Sequence, residues 1–278
     1  MKFSLVMATL GRSDEVERLF CTLANQSYKN FELIVIDQND DDRVSRLVTK
    51  FGNSMEIVYL TSKKGLSRAR NVGLRHIRGD IVCFPDDDCW YHPDTLKYVA
   101  SRFMAEPGLA GLTGCSVDNS GIPTQGRWAT EQLEVDRYNV WTCATSYTIF
   151  LRSSAVRQVG NFDEMLGVGS GSRWGAGEEV NYLLGVLGNA LRVCYEPTLR
   201  IYHPEPLAIL DEKAYARATL YNRGFGRVLG LNAYPAYFVL YLISRSVAGC
   251  ALSLATFNFK RARYYWIAAS QRYLGWRD

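Results

Sequence analysis

The sequence Ile81-Val82-Cys83-Phe84-Pro85-Asp86-Asp87-Asp88 joins a short apolar run directly to three consecutive carboxylates. An apolar run of this length, ending at such a boundary, predicts a buried strand. Three adjacent carboxylates repel one another unless a positive charge lies among them. Mg²⁺ and Mn²⁺ prefer oxygen ligands and suit such a group. The stretch therefore predicts a divalent-cation site at the end of a strand, with an acidic turn that caps the helix near Pro93 as the alternative.

The chain before this stretch alternates between strand-like and helix-like periodicity. Short runs predict three further strands, at Phe3–Ala8, Phe31–Ile36 and Glu56–Leu60. Apolar residues at helical spacing predict helices at Val16–Leu23, Val44–Phe51 and Leu66–Ile77. Ser13 is expected to cap the first of these helices, and Pro93 to begin a fourth. Such alternation predicts an α/β fold with a mostly parallel, Rossmann-like sheet flanked by helices.

Three polar segments follow predicted strands of this sheet. They are Asp37, the loop Thr61–Gly65 and the aspartates after Phe84. Ligands of doubly wound sheets bind at the carboxyl ends of the strands. The sequence therefore predicts that these segments contribute to one binding site.

The pattern changes after residue 108. Thr145–Leu151 is predicted as a strand, and Leu191–Tyr195 and Arg200–His203 as two short extended pieces. A glycine-rich loop, predicted to be mobile, spans Gly167–Gly177 around Trp174 and leads into a helix. From Ala208 onward the chain is predicted to be helical, whereas Thr113–Thr145 shows no pattern that can be interpreted.

Composition bounds the class of protein. The chain has 278 residues, of which 47% are hydrophobic, so it can build a sizeable core. Its seven cysteines form no Cys-x-x-Cys pair, which argues against a zinc site and a disulfide framework and favours the reducing cytosol. Met1–Leu10 has no small-residue cleavage site after it, and we expect a buried strand there instead of a signal peptide.

Charge is distributed unevenly along the chain. From Glu205 onward there are ten Lys/Arg and four Asp/Glu, a net charge of +6, whereas residues 1–204 carry −2. A basic, tyrosine-rich tail favours an anionic membrane surface over nucleic acid. The apolar stretch Tyr234–Phe257 is interrupted by Pro235 and Arg245, so we expect helices that lie in the membrane interface and do not span the bilayer. An ordinary helical subdomain or a homodimer interface is the alternative.

Five motifs occur together along the chain, and the last of them is a pair of segments. They are Ala8-Thr9-Leu10-Gly11-Arg12, Ile36-Asp37-Gln38-Asn39, Ala69-Arg70-Asn71-x-Gly73, Phe84-Pro85-Asp86-Asp87-Asp88, and the pair Asn161-Phe162-Asp163-Glu164 and Gly175-Ala176-Gly177-Glu178-Glu179. In this order they resemble the motifs of family 2 glycosyltransferases with the GT-A fold, in which the last pair lies on the acceptor side. The resemblance covers about residues 1–205 and implies a nucleotide-binding half at 1–107, an acceptor half at 108–205 and a helical, membrane-associating extension at 206–278.

The resemblance implies a role for each matching residue. Asp88, Asp86 and His203 are expected to hold Mn²⁺ or Mg²⁺, although His203 is equally consistent with a packed or surface histidine. The residues expected to bind the nucleotide sugar are Ala8, Thr9, Gly11, Arg12, Asp37, Asn39, Gly65, Arg68, Arg70, Asn71, Asp86 and Asp87. A turn aspartate is the alternative for Asp37, and a solvated helix face for Arg68.

The acceptor side is expected to supply the general base. Glu179 is the first choice and Glu178 the second; the family most often has Glu-Asp here, so the longer Glu179 changes the reach. The helix dipole also favours two carboxylates at the start of a helix, and this structural role is the alternative. Trp174 and Asp163 are expected at the acceptor site or its lid, where Trp174 either stacks on a sugar or latches the loop.

The implied activity is a direct, inverting transfer from a nucleotide sugar, with a UDP-sugar favoured, to a glycan or lipid-linked acceptor in surface polysaccharide synthesis. The expected location is cytoplasmic, peripheral on the inner face of the cell membrane. A sugar-nucleotide-forming nucleotidyltransferase is one alternative, although the single glycine in Ala8–Arg12 is unlike its phosphate loop. The other is a non-catalytic nucleotide- or sugar-binding membrane module. No nucleic acid partner is expected, and a homodimer stays open.

Overall fold

A computed structural model describes residues 1–205 and 209–278, in two compact units. The first unit comprises residues 1–64, 68–162 and 182–205, and it contains the sheet. The second unit comprises residues 65–67, 163–181 and the chain from 209 onward. The predicted domain division between residues 205 and 206 stays a prediction. It depends on Pro206, and the predicted start of the helical tail depends on Ala208; both residues lie outside the described residues.

The described residues form one sheet of eight strands. The strands are β1 Phe3–Thr9, β2 Phe31–Asp37, β3 Glu56–Thr61, β4 Ile81–Cys83, β5 Gly111–Val117, β6 Leu133–Glu134, β7 Ile149–Arg152 and β8 Val193–Tyr202. Their order in the sheet is β3-β2-β1-β4-β7-β5-β8-β6. β1 is parallel to β2 and β4, β2 is parallel to β3, and β5 is parallel to β8. β7 runs antiparallel to β4 and β5, and β6 runs antiparallel to β8.

Helices connect the strands and form the C-terminal region. The first five are α1 Asp14–Ala24, α2 Arg43–Phe51, α3 Leu66–Leu74, α4 Thr95–Ala105 and α5 Ser153–Val159. The remaining four are α6 Glu178–Gly188, α7 Glu212–Leu231, α8 Ala236–Ala255 and α9 Phe259–Arg277. Short 3₁₀ turns occupy Val140–Thr142 and Ser146–Thr148.

The core explains why the central strands are continuous apolar runs. Every residue of β1 and β2 is buried, because helices cover both faces of a parallel sheet. The apolar face of α1 packs into the same core through Val16, Leu19, Phe20 and Leu23. The predicted spacing of α1 and the predicted parallel sheet are therefore confirmed.

Several predicted boundaries are wrong for local reasons. Ser13 precedes α1, but its hydroxyl donates to Asp14 instead of capping the helix. Asp94 precedes α4, so Pro93 lies just outside that helix. The two extended pieces near Leu191 and His203 are one strand, β8, whose pairing with β5 shifts register between Thr113 and Cys115.

The second unit is built on the packing of α7 against α9. Gly226 and Gly275 allow this approach, because an added Cβ would lie 2.1 Å from the carbonyl oxygens of Arg272 and Arg223 respectively. In the described part of the chain, α8 is the one helix that is long and apolar enough to cross a membrane, a test that some core helices of soluble proteins also pass.

Candidate active site

The carboxyl ends of three strands meet where the sequence predicts a site. Thr9 at the end of β1 pairs with Asp37 at the end of β2, and Ala8 forms an isolated parallel bridge with Asp86 after β4. The β-strand order places β1 between β2 and β4, so side chains from all three strand ends share one edge of the sheet. This part of the predicted site is therefore assembled within the first unit.

Asp86 is held by a buried cation. Arg70 is 1% exposed, and its guanidinium donates to Asp86 Oδ1 at 3.1 Å while lying 5.6 Å from the centroid of the Phe162 ring. Ser146 Oγ donates to the same oxygen at 2.9 Å. Burial raises the pKa of Asp86 to about 6, although the charge of Arg70 opposes the shift. Arg70 therefore stands where it offsets negative charge in the site.

Arg12 joins the other two aspartates. Its guanidinium bonds to Asp87 and lies 2.8 Å from Asp88 Oδ2. Thr9 Oγ1 also donates to Asp87, at 2.7 Å. Burial raises the pKa of Asp87 in spite of the opposing charge of Arg12. The repulsion among the three carboxylates is thus offset by arginines of this chain, and Asp87 ties the β1 turn to the loop after β4.

Asp86, Asp88 and His203 form a group with the chemistry of a divalent-metal site. One ligand atom from each residue lies within 4.8 Å of the others. The His203 Nε2 is 3.0 Å from Asp88 Oδ1, and its Nδ1 is 2.7 Å from the Pro204 carbonyl oxygen. An Nδ1–H that donates to this carbonyl leaves the Nε2 lone pair for a metal, as in most histidine ligands of metals. Two carboxylates and one imidazole therefore fit Mn²⁺ or Mg²⁺.

The ring of His203 is fixed in this orientation. Tyr147 stacks on it with ring centroids 4.8 Å apart, and the Tyr147 hydroxyl donates to Ser116 Oγ at 2.8 Å. Burial is the largest influence on the pKa of His203 and lowers it, but the hydrogen bond and charge of Asp88, the bond to Pro204 and the charge of Asp86 together outweigh burial, so the net shift is upward. The imidazole is thus held as a partner of Asp88.

Asp37 is 1% exposed, and most of its hydrogen-bonding capacity is in use. Its Oδ1 accepts from the backbone N–H of Asn39 at 2.9 Å and from Asn39 Nδ2 at 2.7 Å. Its Oδ2 accepts from the Tyr59 hydroxyl at 2.8 Å, and burial together with this bond raises the pKa of Tyr59 to about 12. Asn39 in turn accepts from the Gly11 N–H at 2.6 Å. The opening turn and the second-strand motif are therefore one connected network.

Two other predicted donor-binding residues have different surroundings. The Asn71 amide exchanges two hydrogen bonds with the backbone of Phe162, at 2.8 and 3.0 Å, so it joins α3 to the first acceptor-side motif. Arg68 is half-buried and donates to the Lys64 carbonyl at 3.2 Å. Their contacts with a nucleotide sugar stay a prediction.

The remaining predicted residues belong to the second unit: Gly65, Asp163, Trp174, Glu178 and Glu179. Glu178 is 5% exposed, and a Cβ added to Gly167 would lie 2.9 Å from its Oε2. Glu179 is half-buried, and Asp163 accepts from the Met165 N–H at 2.9 Å. The two glutamates begin α6 as predicted, and the choice of base between them stays a prediction.

Several residues of the site have no sequence signal. Arg18 on α1 donates to the Asp88 carbonyl at 2.8 Å and lies 4.3 Å from the Trp90 ring centroid. Tyr59, Ser146 and Tyr147 were equally unexpected, because each reaches the site from an element that no motif marks. A strand tyrosine or a residue beside the unpatterned segment becomes recognisable only when the sheet order is known.

Comparison with known proteins places this architecture. The sequence model of glycosyl transferase family 2 matches residues 4–157, which is more than half of the chain. The chain belongs to this family. The resemblance stated from the motifs is thereby confirmed.

The sequence relatives of this family 2 chain include named glycosyltransferases. Glycosyltransferase AglE of Haloferax volcanii is 22% identical over 62% of the chain and 59% of its own length. The amylovoran biosynthesis glycosyltransferase AmsB of Erwinia amylovora is 31% identical over 35% of the chain and 34% of its own length. The chain thus spans less than two thirds of these curated relatives.

Solved structures confirm the predicted GT-A fold with its C-terminal helices. The TarS 1–349 fragment of Staphylococcus aureus, in complex with UDP-GlcNAc, has a TM-score of 0.64 at 19% identity, covering 98% of this chain and 92% of that one. The mannosyltransferase PcManGT of Pyrobaculum calidifontis, in complex with GDP-Man and Mn²⁺, has a TM-score of 0.66 at 16% identity, covering 98% and 86%. At these identities the likeness shows the fold alone.

Proposed function

We propose that this chain is an inverting, metal-dependent glycosyltransferase that moves a sugar from a nucleotide sugar to a hydroxyl of a glycan or lipid-linked acceptor. The observation that carries the proposal is the group formed by Asp86, Asp88 and His203 at the end of β4. Mn²⁺ or Mg²⁺ bound there would offset the charge that develops on the leaving nucleotide diphosphate. Surface polysaccharide synthesis is the proposed setting, and the name of the relative AmsB, an amylovoran biosynthesis glycosyltransferase, supports a biosynthetic role.

Arg12 and Arg70 contribute positive charge of the chain itself. Each already pairs with a carboxylate of the triplet, so their guanidinium groups are in place before a donor arrives. Forked guanidinium groups suit phosphate oxygens, which makes both arginines candidates for orienting the diphosphate. Arg12 is the better candidate, because its side chain is 41% exposed whereas Arg70 is enclosed.

The state of Asp37 favours a uracil or thymine base. An ionised carboxylate offers about four lone-pair sites, and Asn39 and Tyr59 occupy three of them. In the part of the chain that the structure describes, these contacts leave one site on Oδ2, which matches the single imide N–H of uracil or thymine. Guanine would present two neighbouring N–H donors to the same group. A UDP-sugar or a dTDP-sugar is therefore the proposed donor.

The proposed general base is Glu179, with Glu178 as the second candidate. A base that removes the proton of an acceptor hydroxyl allows in-line attack on the anomeric carbon. One displacement forms the new glycosidic bond while the bond to the diphosphate breaks, and the configuration of that carbon inverts. Glu179 is half-buried and begins α6, whereas Glu178 is enclosed beside Gly167.

The first test is thermal stabilisation by UDP, dTDP, GDP and CMP, each with and without Mn²⁺. Binding to the folded state raises the melting temperature by mass action. We expect a Mn²⁺-dependent shift with UDP or dTDP that is lost in Asp88→Asn and kept in Asp14→Asn, an exposed aspartate on α1. No shift with any nucleotide would favour the non-catalytic module, and release of pyrophosphate from a nucleoside triphosphate would identify a nucleotidyltransferase.

The second test is the stereochemistry of the product. Once a donor is known, nuclear magnetic resonance couplings give the anomeric configuration of the transferred sugar. An inverted configuration supports single displacement, and a retained one overturns the role given to Glu179.

We propose further that α8 and α9 hold the protein on an anionic membrane surface at the inner face of the cell membrane. Large apolar side chains are exposed along both helices, and Phe257 and Phe259 between them are 80% and 66% exposed. Lys260 and Arg261 follow directly and are also exposed. Aromatic residues beside basic ones suit the headgroup region of an anionic bilayer. The exposed apolar residues are Tyr237, Leu240, Tyr241, Val247, Leu252, Leu254 and Trp266.

A further inference from the structure

A carboxylate at the end of α9 holds the glycine-rich loop. Asp278 Oδ2 accepts from the Trp174 indole N–H at 2.8 Å, and the Arg223 guanidinium donates to both oxygens of Asp278 at 2.7 and 2.8 Å. Arg173 lies 3.4 Å from Asp278 Oδ1. The Asp278 side chain is 12% exposed. Residues from the loop, from α7 and from the end of α9 thus converge on one carboxylate, all within the second unit.

Trp174 is fixed on its ring face and its backbone as well as at its edge. The guanidinium carbon of Arg227 lies 4.6 Å from the ring centroid, and that of Arg173 lies 5.6 Å away. The Trp174 carbonyl accepts from the Gly167 N–H at 3.0 Å, and its N–H donates to Ser172 Oγ at 2.9 Å. The loop predicted as mobile is therefore closed on itself at Gly167 and tied to two helices at Trp174.

The residues after Trp174 lie directly on α7. The Gly175 N–H donates to the Leu220 carbonyl at 3.1 Å. A Cβ on Gly224 would lie 2.2 Å from the Ala176 carbonyl oxygen, so the two backbones are in contact. Gly177 has a φ of +94°, and α6 begins at the next residue. Between Trp174 and the glutamates, the chain has little freedom to change course.

We propose that Asp278 is a positioning residue, which sets the placement of Glu178 and Glu179 by holding Trp174. This inference rests on the proposed function, because it assigns the glutamates to proton transfer. Proton transfer requires the base within hydrogen-bonding distance of the acceptor hydroxyl, and a displacement of about 1 Å costs on the order of 10²-fold in rate. A bidentate arginine–carboxylate pair supplies direction as well as strength, which suits a residue that must hold another in place.

The charge on Asp278 is constant over the range of an assay. The hydrogen bond from Arg223 lowers the pKa of Asp278 to about 2. A carboxyl group whose pKa is lower in the folded state contributes stability above its unfolded pKa of about 3.9, and this contribution is lost as the pH falls through about 2. Asp278 therefore stays ionised at neutral pH and keeps its oxygens available to the Trp174 N–H.

The chain provides a matched control for this contact. Arg263 on α9 donates to both carboxylate oxygens of Glu212 on α7, at 2.6 and 2.9 Å. The pair joins the same two helices by the same kind of interaction, near the start of each helix and away from Trp174. Glu212→Ala therefore removes a bidentate ion pair between the same helices without touching the loop, although this pair is more exposed than that of Arg223 with Asp278.

The experiment compares Asp278→Ala, Glu212→Ala and Trp174→Phe by melting temperature, kcat and donor KM. We expect Asp278→Ala to lower kcat at least tenfold with the donor KM within twofold, and Glu212→Ala to keep kcat within twofold. Trp174→Phe keeps a ring but removes the N–H, so it should lower kcat severalfold; it also tests the idea if Asp278→Ala does not fold. The double variant of Trp174 and Asp278 should lose no more than Asp278→Ala, since both act through one contact.

Hydrogen exchange separates this inference from the proposed function. Exchange in residues 167–177 should rise in Asp278→Ala and stay at the wild-type level in Glu212→Ala, whether or not transfer is observed. Unchanged exchange, or an equal loss of kcat in the two variants, overturns the inference. Raised exchange in a protein that transfers no sugar would overturn the proposed function and the catalytic part of the inference, and would leave only the attachment of the loop.

Discussion

Arg12 pairs with Asp87 and Asp88, and Asp88 also belongs to the proposed metal site. Because Asp87 and Asp88 are nearly enclosed, Arg12→Ala leaves them short of positive charge and should lower the free energy of unfolding by about 1–3 kcal/mol. Mn²⁺ can then replace the lost charge, so the rise in melting temperature on adding Mn²⁺ should be larger in the variant than in the wild type. Thermal melts with and without Mn²⁺ measure both effects.

The control for this prediction is Arg46→Ala. Arg46 pairs with Asp42 across one helical turn, and both side chains are more than half exposed, so we expect a change below about 0.5 kcal/mol. An equal response to Mn²⁺ in the wild type and in Arg12→Ala would show that the guanidinium and the cation do not share the site.

The adjacent glutamates at the start of α6 can be told apart by amide substitution. Glu179→Gln keeps the shape and removes the base, so kcat should fall about 10²–10⁴-fold while the stabilisation by nucleotide survives. Glu178→Gln should lower kcat much less, because Glu178 is enclosed beside Gly167. Steady-state kinetics and nucleotide thermal shifts on both variants decide the assignment, and the reverse order of effects would move the base to Glu178.

The sequence was informative about this site where chemistry and position coincide. Asp86 and Asp88 are predicted because three carboxylates after a strand need an explanation, and His203 because the family resemblance implies a histidine in the metal shell. The partners that hold them were not found. Arg70 is matched by a motif, but nothing in the sequence reveals that its guanidinium is buried against Asp86. Tyr59 reaches the site through the pairing of β3 with β2, and Tyr147 through the 3₁₀ turn before β7. Neither placement is encoded in local spacing.

Close contact between α7 and α9 depends on glycine. An alanine at Gly275 would place its Cβ 2.1 Å from the Arg223 carbonyl oxygen, which is backbone and cannot move aside. We expect Gly275→Ala to lower the melting temperature by several degrees, corresponding to about 1–3 kcal/mol of overpacking. Gly188→Ala at the end of α6 is the control, since a Cβ there meets nothing within 4 Å. Equal melting temperatures for the two variants would contradict the described packing.

Prediction of elements succeeded where one periodicity held over the whole segment. The first four strands and α1 and α2 were found within one or two residues, because buried strands and amphipathic helices leave strong patterns. Thr145–Leu151 was predicted as one strand, yet only Ile149–Arg152 pairs in the sheet and Ser146–Thr148 is a 3₁₀ turn. In that segment the side chains of Thr145 and Thr148 form hydrogen bonds with the backbone of the turn. The alternation of apolar and polar residues does not reveal these local hydrogen bonds.

Attachment of the whole chain to a bilayer is tested at the turn between α8 and α9. Replacing both Phe257 and Phe259 by serine removes apolar surface worth about 1.5–3 kcal/mol per fully buried side chain, so binding to anionic vesicles should fall at least tenfold. Binding should also weaken as salt rises, because Lys260 and Arg261 act through screened charge. Flotation with vesicles of phosphatidylglycerol and phosphatidylcholine measures both.

The matched control replaces Met104 and Ile122 by serine. These residues are 59% and 60% exposed and lie in the first unit, so vesicle binding should be unchanged. Equal loss of binding in the two double variants, or none in either, argues against a bilayer at this turn. A dimer that sediments as such in the wild type and dissociates in the turn variant would identify a second copy of the chain as the partner instead.

The contact between α7 and α9 also has a consequence for tracing the ancestry of this protein. Gly226 and Gly275 each face a backbone carbonyl oxygen of the other helix at a distance that excludes any side chain. Natural variation at these two places is therefore restricted to one amino acid for as long as the helices keep their contact. A genome search for this glycine spacing behind a family 2 domain would select the lineage that inherited the helical pair, and homologues with larger residues there must have lost it.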